Sequence, residues 1–138
     1  MIDLSTEFGR RVARRLEEEY TLWLTTVDAS GAPQPRPVWF LWQGETFLIY
    51  SRPETHKVSH IRHNPRVAPN SDSDSHAGGI VVFTGEARIP HDGPPAVHAP
   101  RYIEKYREAL EDLDTSPAEF ARAYSAPIRV TPSSLRGL

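Results

Sequence analysis

Ser51, Arg52, Thr55, His56 and Lys57 crowd hydroxyl and cationic donors into seven positions. They fall where a run of strand-forming residues gives way to a helix expected to open at Pro53. The first turn of a helix presents unpaired backbone N–H groups and the positive end of its dipole, which suits an anion. Hydroxyl, ammonium and guanidinium donors beside it suit a phosphate in particular. The glycines of a Walker loop are missing, so this is not that motif. A basic helix start is also an ordinary solvated surface, and both readings stand at this point. His56, His60 and His63 recur at i, i+4 and i+7 on the same expected helix. Two histidines four apart can share a metal, but a third from one helix reaches the same ion poorly. No cysteine or acidic ligand lies nearby to complete a tetrahedral set, so no metal site is expected. His76, His91 and His98 fall in expected loops, and the Asp72/Asp74 pair sits in a serine-rich one, where solvation accounts for them. There is no G-x-S-x-G elbow, and no cysteine to pair with a histidine. If the chain is an enzyme, a cofactor carries the chemistry while the protein binds and orients it, and no catalytic side chain is assigned.

The whole chain bounds these options. Its 138 residues suit a single domain, 1–138. With 38% apolar and 25% charged residues it has the means to build a packed core. A domain of this size still buries only about two-thirds of its unfolded surface, so a second copy or a cofactor would add stability. A homodimer is therefore expected. The net charge of −2 lacks the basic bias of a nucleic-acid binder. No run approaches the roughly 20 apolar residues of a membrane span, and the first residues lack the apolar centre of a signal peptide. With no cysteine in the chain, a reducing cytoplasm is the expected location.

Leu4, Phe8, Val12, Leu16 and Tyr20 recur every fourth residue and predict an amphipathic helix over 4–19, with arginines and glutamates on its other face. Strands are expected over 21–27, 34–43, 46–51 and 80–89, the last giving the strongest signal. A shorter one begins at 66–68 and is interrupted by Pro69. Another covers 127–131. Beyond the helix over 53–63, Tyr102, Ile103, Tyr106, Leu110 and Leu113 mark a helical face, and 117–124 a second short helix. Five or six strands with helices inserted between them predict a small β-barrel of the α+β kind. The strand over 34–43 is unusual because Pro33, Pro35 and Pro37 strip backbone donors from one of its sides. Trp39 carries the first donor to return on that side. Such a strand is either an edge protected from aggregation or one that diverges from its neighbour and offers free backbone groups to a ligand.

The runs Arg36-Pro-Val-Trp-Phe-Leu-Trp42, Thr46-Phe-Leu-Ile-Tyr-Ser-Arg-Pro53, His56-Lys57-Val58, Ile61-Arg62 and Asn64-Pro-Arg-Val67 resemble the pyridoxamine 5'-phosphate oxidase-like superfamily. More narrowly they resemble its actinobacterial deazaflavin-dependent branch, as does Tyr124-Ser-Ala-Pro-Ile-Arg-Val-Thr-Pro132. The resemblance implies a split β-barrel (the FMN-binding-like fold, an antiparallel barrel with inserted helices) forming a homodimer with cofactor sites at the subunit interface. It implies coenzyme F420, or alternatively FMN, with its ring system against Arg36, Pro37, Val38 and Trp39. It implies that Ser51, Arg52, His56 and Lys57 face the cofactor phosphate, and that hydride passes to or from a small organic substrate. Trp39 and Tyr50 either wall that pocket or belong to the core. F420 adds an acidic tail to the shared ring and phosphate, and Arg10, Arg11, Arg14, Arg15 and Arg62 are the basic residues that could receive it. A non-catalytic flavin- or haem-binding protein is the alternative outside catalysis. Pro69 departs from the uninterrupted apolar run that relatives keep in that strand.

Overall fold

The computed structural model describes residues 2–73 and 79–137. Asp74 and His76 lie outside the described residues. Helix α1 (Glu7–Glu18) is followed by β1 (Thr21–Val27), β2 (Pro33–Trp39), β3 (Leu41–Trp42) and β4 (Phe47–Ser51). Then come α2 (His56–His63), β5 (Arg66–Asn70) and β6 (Val81–Arg88). A 3-10 turn (Ala96–His98), α3 (Pro100–Lys105), α4 (Arg107–Asp112), α5 (Pro117–Ala123) and β7 (Ala126–Gly137) complete the order. No helix among the described residues is long and apolar enough to cross a membrane.

The strands form one antiparallel sheet in the order β2-β1-β5-β6-β7-β4-β3. That order has a geometric consequence. β2 and β3 are the two opposite edges, yet only Phe40 separates them in sequence. One residue cannot cross a flat seven-stranded sheet, because neighbouring strands lie about 4.8 Å apart. The sheet therefore curls until its edges meet, giving the split β-barrel with inserted helices.

The proline strand is an edge, one of the two readings its composition allows. β2 pairs with β1 from Pro33↔Val27 to Trp39↔Thr21 without a break. N–H and C=O groups of one residue point to the same side of a strand, so Gln34, Arg36 and Val38 carry the ladder while the prolines turn toward the open edge.

Six expectations are corrected. β5 runs through Pro69, which pairs opposite Leu24. Its ladder to β6 is formed at Arg66, Val67 and Asn70, so the missing proline donor falls where no β6 bond is made. Helix α2 begins at His56, because Pro53 and Glu54 close a turn and Thr55 becomes the N-cap. The expected helix over 102–113 is broken at Tyr106, whose ψ of 13° opens the turn between α3 and α4. The last strand continues to Gly137, and seven strands are present instead of five or six. Tyr20 falls beyond α1 and is exposed, so it leaves the helix's apolar face.

Alternation along β4 explains how both faces of the sheet are covered. Phe47 and Ile49 join Val12, Leu16, Leu24, Phe83 and Ile128 in one core under α1 and α2. Leu48 and Tyr50 join Leu41, Tyr102, Tyr106, Leu110 and Phe120 in a second core under α3 to α5. All five residues of β4 are buried in consequence.

Candidate functional site

A cavity of about 820 Å³ opens between the sheet and the helical segment. Pro37, Val38 and Trp39 of β2, Tyr50 and Ser51 of β4, and the β4–α2 turn (Arg52, Thr55, Lys57) make one wall. Tyr102, Leu110, Leu113, Phe120 and Tyr124 contribute to the other. A smaller cavity of about 370 Å³ lies beside it, lined by Thr26, Asp28, Gln34, Arg36, His56, Lys57 and His60. Lys57 borders both, so the two spaces meet at its side chain.

The Lys57 ammonium donates to Ser51 Oγ at 2.6 Å and approaches Thr55 Oγ1 at 3.4 Å. Ser51 Oγ and Thr55 Oγ1 are 3.1 Å apart, and each hydroxyl can donate to the Arg52 carbonyl. This knot forms because β4 ends at Ser51 and α2 starts at His56, which folds the intervening turn back over the strand end. Among the described residues no carboxylate lies within 4.0 Å of Lys57, Arg36 or Arg52. Burial, then the Arg36 guanidinium, holds the Lys57 ammonium below its ordinary range. A half-buried cation facing a second cation, with hydroxyls but no acid for company, is a cradle for an anion. Asp28 does not supply the counter-charge. Its Oδ1 accepts from Ser30 N–H, Ser30 Oγ–H and Ala32 N–H, and its Oδ2 from Gln34, which pulls its carboxyl down to about 2.

The predicted residues thus divide between the two spaces. Pro37, Val38, Trp39, Tyr50, Ser51, Arg52 and Lys57 come together at the larger cavity. Arg36 and His56 line the smaller one, which shares Lys57 with the larger. The Arg52 guanidinium sits 4.9 Å from the centre of the Tyr124 ring rather than in the hydroxyl knot. Tyr50 belongs to both readings offered for it, since it packs in the second core and lines the cavity, with its hydroxyl donating to the Pro94 carbonyl at 2.8 Å. The arginines of α1 and Arg62 line neither cavity. Arg15 instead ties α1 to Glu19 and to the carbonyls of Asp72 and Gly79. His60 hydrogen-bonds the buried Thr26 hydroxyl at 2.8 Å through Nδ1, and His63 Nδ1 meets the Ser59 carbonyl. No group of three metal-ligating side chains converges among the described residues.

The helical wall was not legible as a site. Trp39 lies flat on Tyr106 at 4.4 Å and 3°, and faces Phe120 at 5.8 Å and 15°. The Tyr106 hydroxyl accepts the Phe40 N–H at 2.7 Å and reaches the Tyr20 carbonyl at 2.6 Å, pinning the chain where β2 passes into β3. Among the described residues the buried Tyr102 hydroxyl makes no well-aligned hydrogen bond, the Tyr50 backbone acting on it only weakly, whereas buried polar groups are usually paired. Burial, reinforced by the Tyr106 hydroxyl, pushes its ionisation far above the ordinary tyrosine range, so it remains an O–H donor. The aromatic signal was present at 102–124, but a helical face of aromatics is first of all a core.

A curled antiparallel seven-stranded barrel with helices inserted between its strands defines the split-barrel class. The chain belongs to the pyridoxamine 5'-phosphate oxidase family, whose sequence profile matches residues 8–136. No curated protein matches its sequence. Among solved structures it is similar to a Listeria innocua protein provisionally named a pyridoxamine 5'-phosphate oxidase, at 22% identity and a TM-score of 0.73, covering 94% of this chain and 96% of that one. It is similar to an F420 reductase at 23% identity and a TM-score of 0.67, covering 89% and 94%. It is similar also to HutZ, a haem storage protein from Vibrio cholerae, at 16% identity and a TM-score of 0.70, covering 96% and 95%. At these identities the likeness is one of fold.

Proposed function

We propose that this chain is an oxidoreductase that binds a flavin-type cofactor and passes a hydride to or from a small organic substrate. Coenzyme F420 is the first choice of cofactor and FMN the alternative. The observation that carries this reading is Lys57: a half-buried ammonium, bonded to two hydroxyls and without an acidic partner among the described residues, at the mouth of a cavity with an aromatic wall. In this reading Ser51, Thr55 and Lys57 hold the cofactor phosphate, with Arg36 and Arg52 adding positive potential and His56 a ring nitrogen. Pro37, Val38 and Trp39 lie along the ring system. When bound, the deazaflavin or flavin ring supplies hydride transfer. The protein's share is to orient the two reacting carbons and exclude water. The Tyr102 hydroxyl, without a well-aligned partner among the described residues, supports a polar ligand atom at that wall.

The smaller cavity supports F420 over FMN, because Arg36 lines a space adjoining Lys57, where an acidic tail finds a guanidinium and the ring nitrogens of His56 and His60. The Asp28 carboxylate in the same lining is engaged by Ser30, Ala32 and Gln34. A haem reading has less support. Among the described residues no histidine lines the larger cavity, so the commonest axial ligand is not on hand there. A second copy of the chain completes the cavity in this proposal, covering the open side that one chain leaves to solvent.

Titrating the purified protein with F420 and with FMN, followed by fluorescence, tests the assignment. Tight F420 binding is the expected result. Tight binding of FMN alone moves the protein to the flavin-dependent alternative, and binding of neither rejects the cofactor reading. Light scattering is expected to report about twice the 15.6 kDa chain mass. A monomer at high concentration rejects the shared site.

A further inference from the structure

Strand β2 stops one pair short of where its register would carry it. Trp39↔Thr21 is the last pair with β1, and Phe40↔Tyr20 would follow. Gln34, Arg36 and Val38 carry the ladder, so Phe40 is next in line to exchange both backbone bonds with its partner. It does not do so. The Tyr106 hydroxyl stands between the two, accepting the Phe40 N–H at 2.7 Å and meeting the Tyr20 carbonyl at 2.6 Å. Its single proton goes to Tyr20, because the Phe40 carbonyl lies further off at 2.9 Å and already receives the Lys105 ammonium at 2.8 Å. Tyr106 is 1% exposed, so water does not compete for these bonds. Its ring lies flat on Trp39 at 4.4 Å and 3°. One side chain thus holds the last residue of β2 by its ring and the next residue by its backbone.

Trp39 is the residue at which this matters. Its backbone groups face the open edge, away from the ladder. Pro33, Pro35 and Pro37 face the same way without an N–H, so Trp39 offers the one donor on that side of β2, and it lines the larger cavity. A direct Phe40–Tyr20 bond would draw the end of β2 in against β1 by about the width of an oxygen atom and turn the peptides on either side of Trp39. We propose that Tyr106 is a positioning residue, whose hydroxyl holds β2 off β1 at its last step and so fixes the direction in which the Trp39 N–H meets the cofactor ring. This rests on the reading above, in which the ring lies along Pro37, Val38 and Trp39. A backbone donor bonded to such a ring tunes its electronics as well as its affinity. The hydroxyl therefore acts on the bound cofactor without touching it.

Tyr106→Phe tests this, since it keeps the ring stacked on Trp39 and removes only the bridge. The freed Phe40 N–H and Tyr20 carbonyl can then pair directly, so the variant is expected to fold. Bound F420, or FMN where that is the cofactor taken up, is expected to show an absorbance maximum displaced from wild type toward that of the free cofactor. Its affinity is expected to fall about twofold to tenfold, the worth of one hydrogen bond. Lys105→Met removes the other partner of the Phe40 carbonyl but leaves the bridge, and the bound ring is expected to keep its wild-type spectrum. In amide NMR spectra of the wild-type protein, the Trp39 resonance is expected to move when the cofactor is added. A bound spectrum unchanged in Tyr106→Phe, or displaced equally in Lys105→Met, overturns the proposal and leaves the cofactor reading intact. A lower Tm in Tyr106→Phe with the bound spectrum as in wild type is what a merely structural hydroxyl gives, and it overturns the proposal too. Should Tyr106→Phe fail to fold, the wild-type titration decides, and a Trp39 resonance that ignores the bound cofactor overturns the proposal. Wild-type protein that takes up neither cofactor rejects the cofactor reading, and the proposal with it.

Discussion

Of the sixteen cationic side chains in the sequence, fourteen are arginine and only Lys57 and Lys105 are lysine. Both lysines are half-buried, both lack a carboxylate within 4.0 Å among the described residues, and both are held below the ordinary lysine range by burial. A compact ammonium can turn its three donors to several oxygens in a tight space, where the rigid fork of arginine fits less readily. At Lys57 those oxygens are hydroxyls, which leaves the charge for a ligand. Lys57→Ala is accordingly expected to weaken cofactor binding about tenfold to a hundredfold, the worth of one or two charge-assisted bonds. Unchanged affinity in isothermal titration rejects its role. His60→Ala differs in kind. It removes the partner of the buried Thr26 hydroxyl, so it is expected to cost about 1–3 kcal/mol of stability while leaving FMN affinity unchanged. A urea midpoint equal to wild type refutes that. The local cluster at 51–57 was legible because its members are neighbours in sequence. Tyr102, Phe120 and Tyr124 were not, since their meeting with Trp39 spans more than 60 positions and depends on how the sheet curls.

Elements read well wherever a single face decides them. Helix α1 and strands β1 and β6 fall close to their expected limits because each alternates at its own period, and β4 does so as a short apolar run bounded by turns. The misread strands share one cause: a local breaker overridden by pairing. Pro69 and Pro132 both lie inside strands, at points where the ladder does not need the missing donor or where it shifts register. The tail Thr131-Pro-Ser-Ser-Leu-Arg-Gly137 looks like loop by composition. Yet β6 requires a partner along its whole length, and β7 supplies it from Arg88↔Arg129 to Val81↔Gly137. The two strands slip at a bulge between Thr84 and Gly85, where a Cβ on Gly85 would run into the Thr131 carbonyl oxygen and the Pro132 Cα at 2.8 Å. Both obstacles are backbone and cannot swing aside. Gly85→Ala is therefore expected to destabilise the fold by about 1–3 kcal/mol or more. A urea midpoint at or above wild type contradicts this close approach.

At the scale of the whole molecule, the barrel is closed where β2 passes into β3, and the groups that hold this seam titrate in opposite senses. The Lys105 ammonium donates to the Phe40 carbonyl at 2.8 Å and lies 3.7 Å from the centre of the Phe40 ring. Burial lowers its pKa to about 8, with Glu17 and Glu19 acting weakly against that shift. Tyr106, which bonds the same residue, and Tyr102 behind it are both raised by burial. Below about pH 8 Lys105 is charged whether folded or unfolded, and the folded state carries the full cost of desolvating it. Between there and about pH 10 the folded protein releases that proton while the unfolded chain keeps it. The unfolded state then binds more protons, so stability rises with pH. Lys57, lowered in the same direction, adds to the rise. Above about pH 10 the sign reverses, because the tyrosines ionise in the unfolded chain and stay protonated in the fold, so stability falls. Thermal unfolding is thus expected to show a maximum in Tm near pH 10 rather than near neutrality. Lys105→Met keeps the aliphatic stem against Phe40 and removes the titrating group, so the climb between pH 8 and 10 is expected to shrink while the fall above it remains. A Tm that declines steadily from pH 7 upward, or a climb untouched in Lys105→Met, shows that the seam is not held at this electrostatic cost.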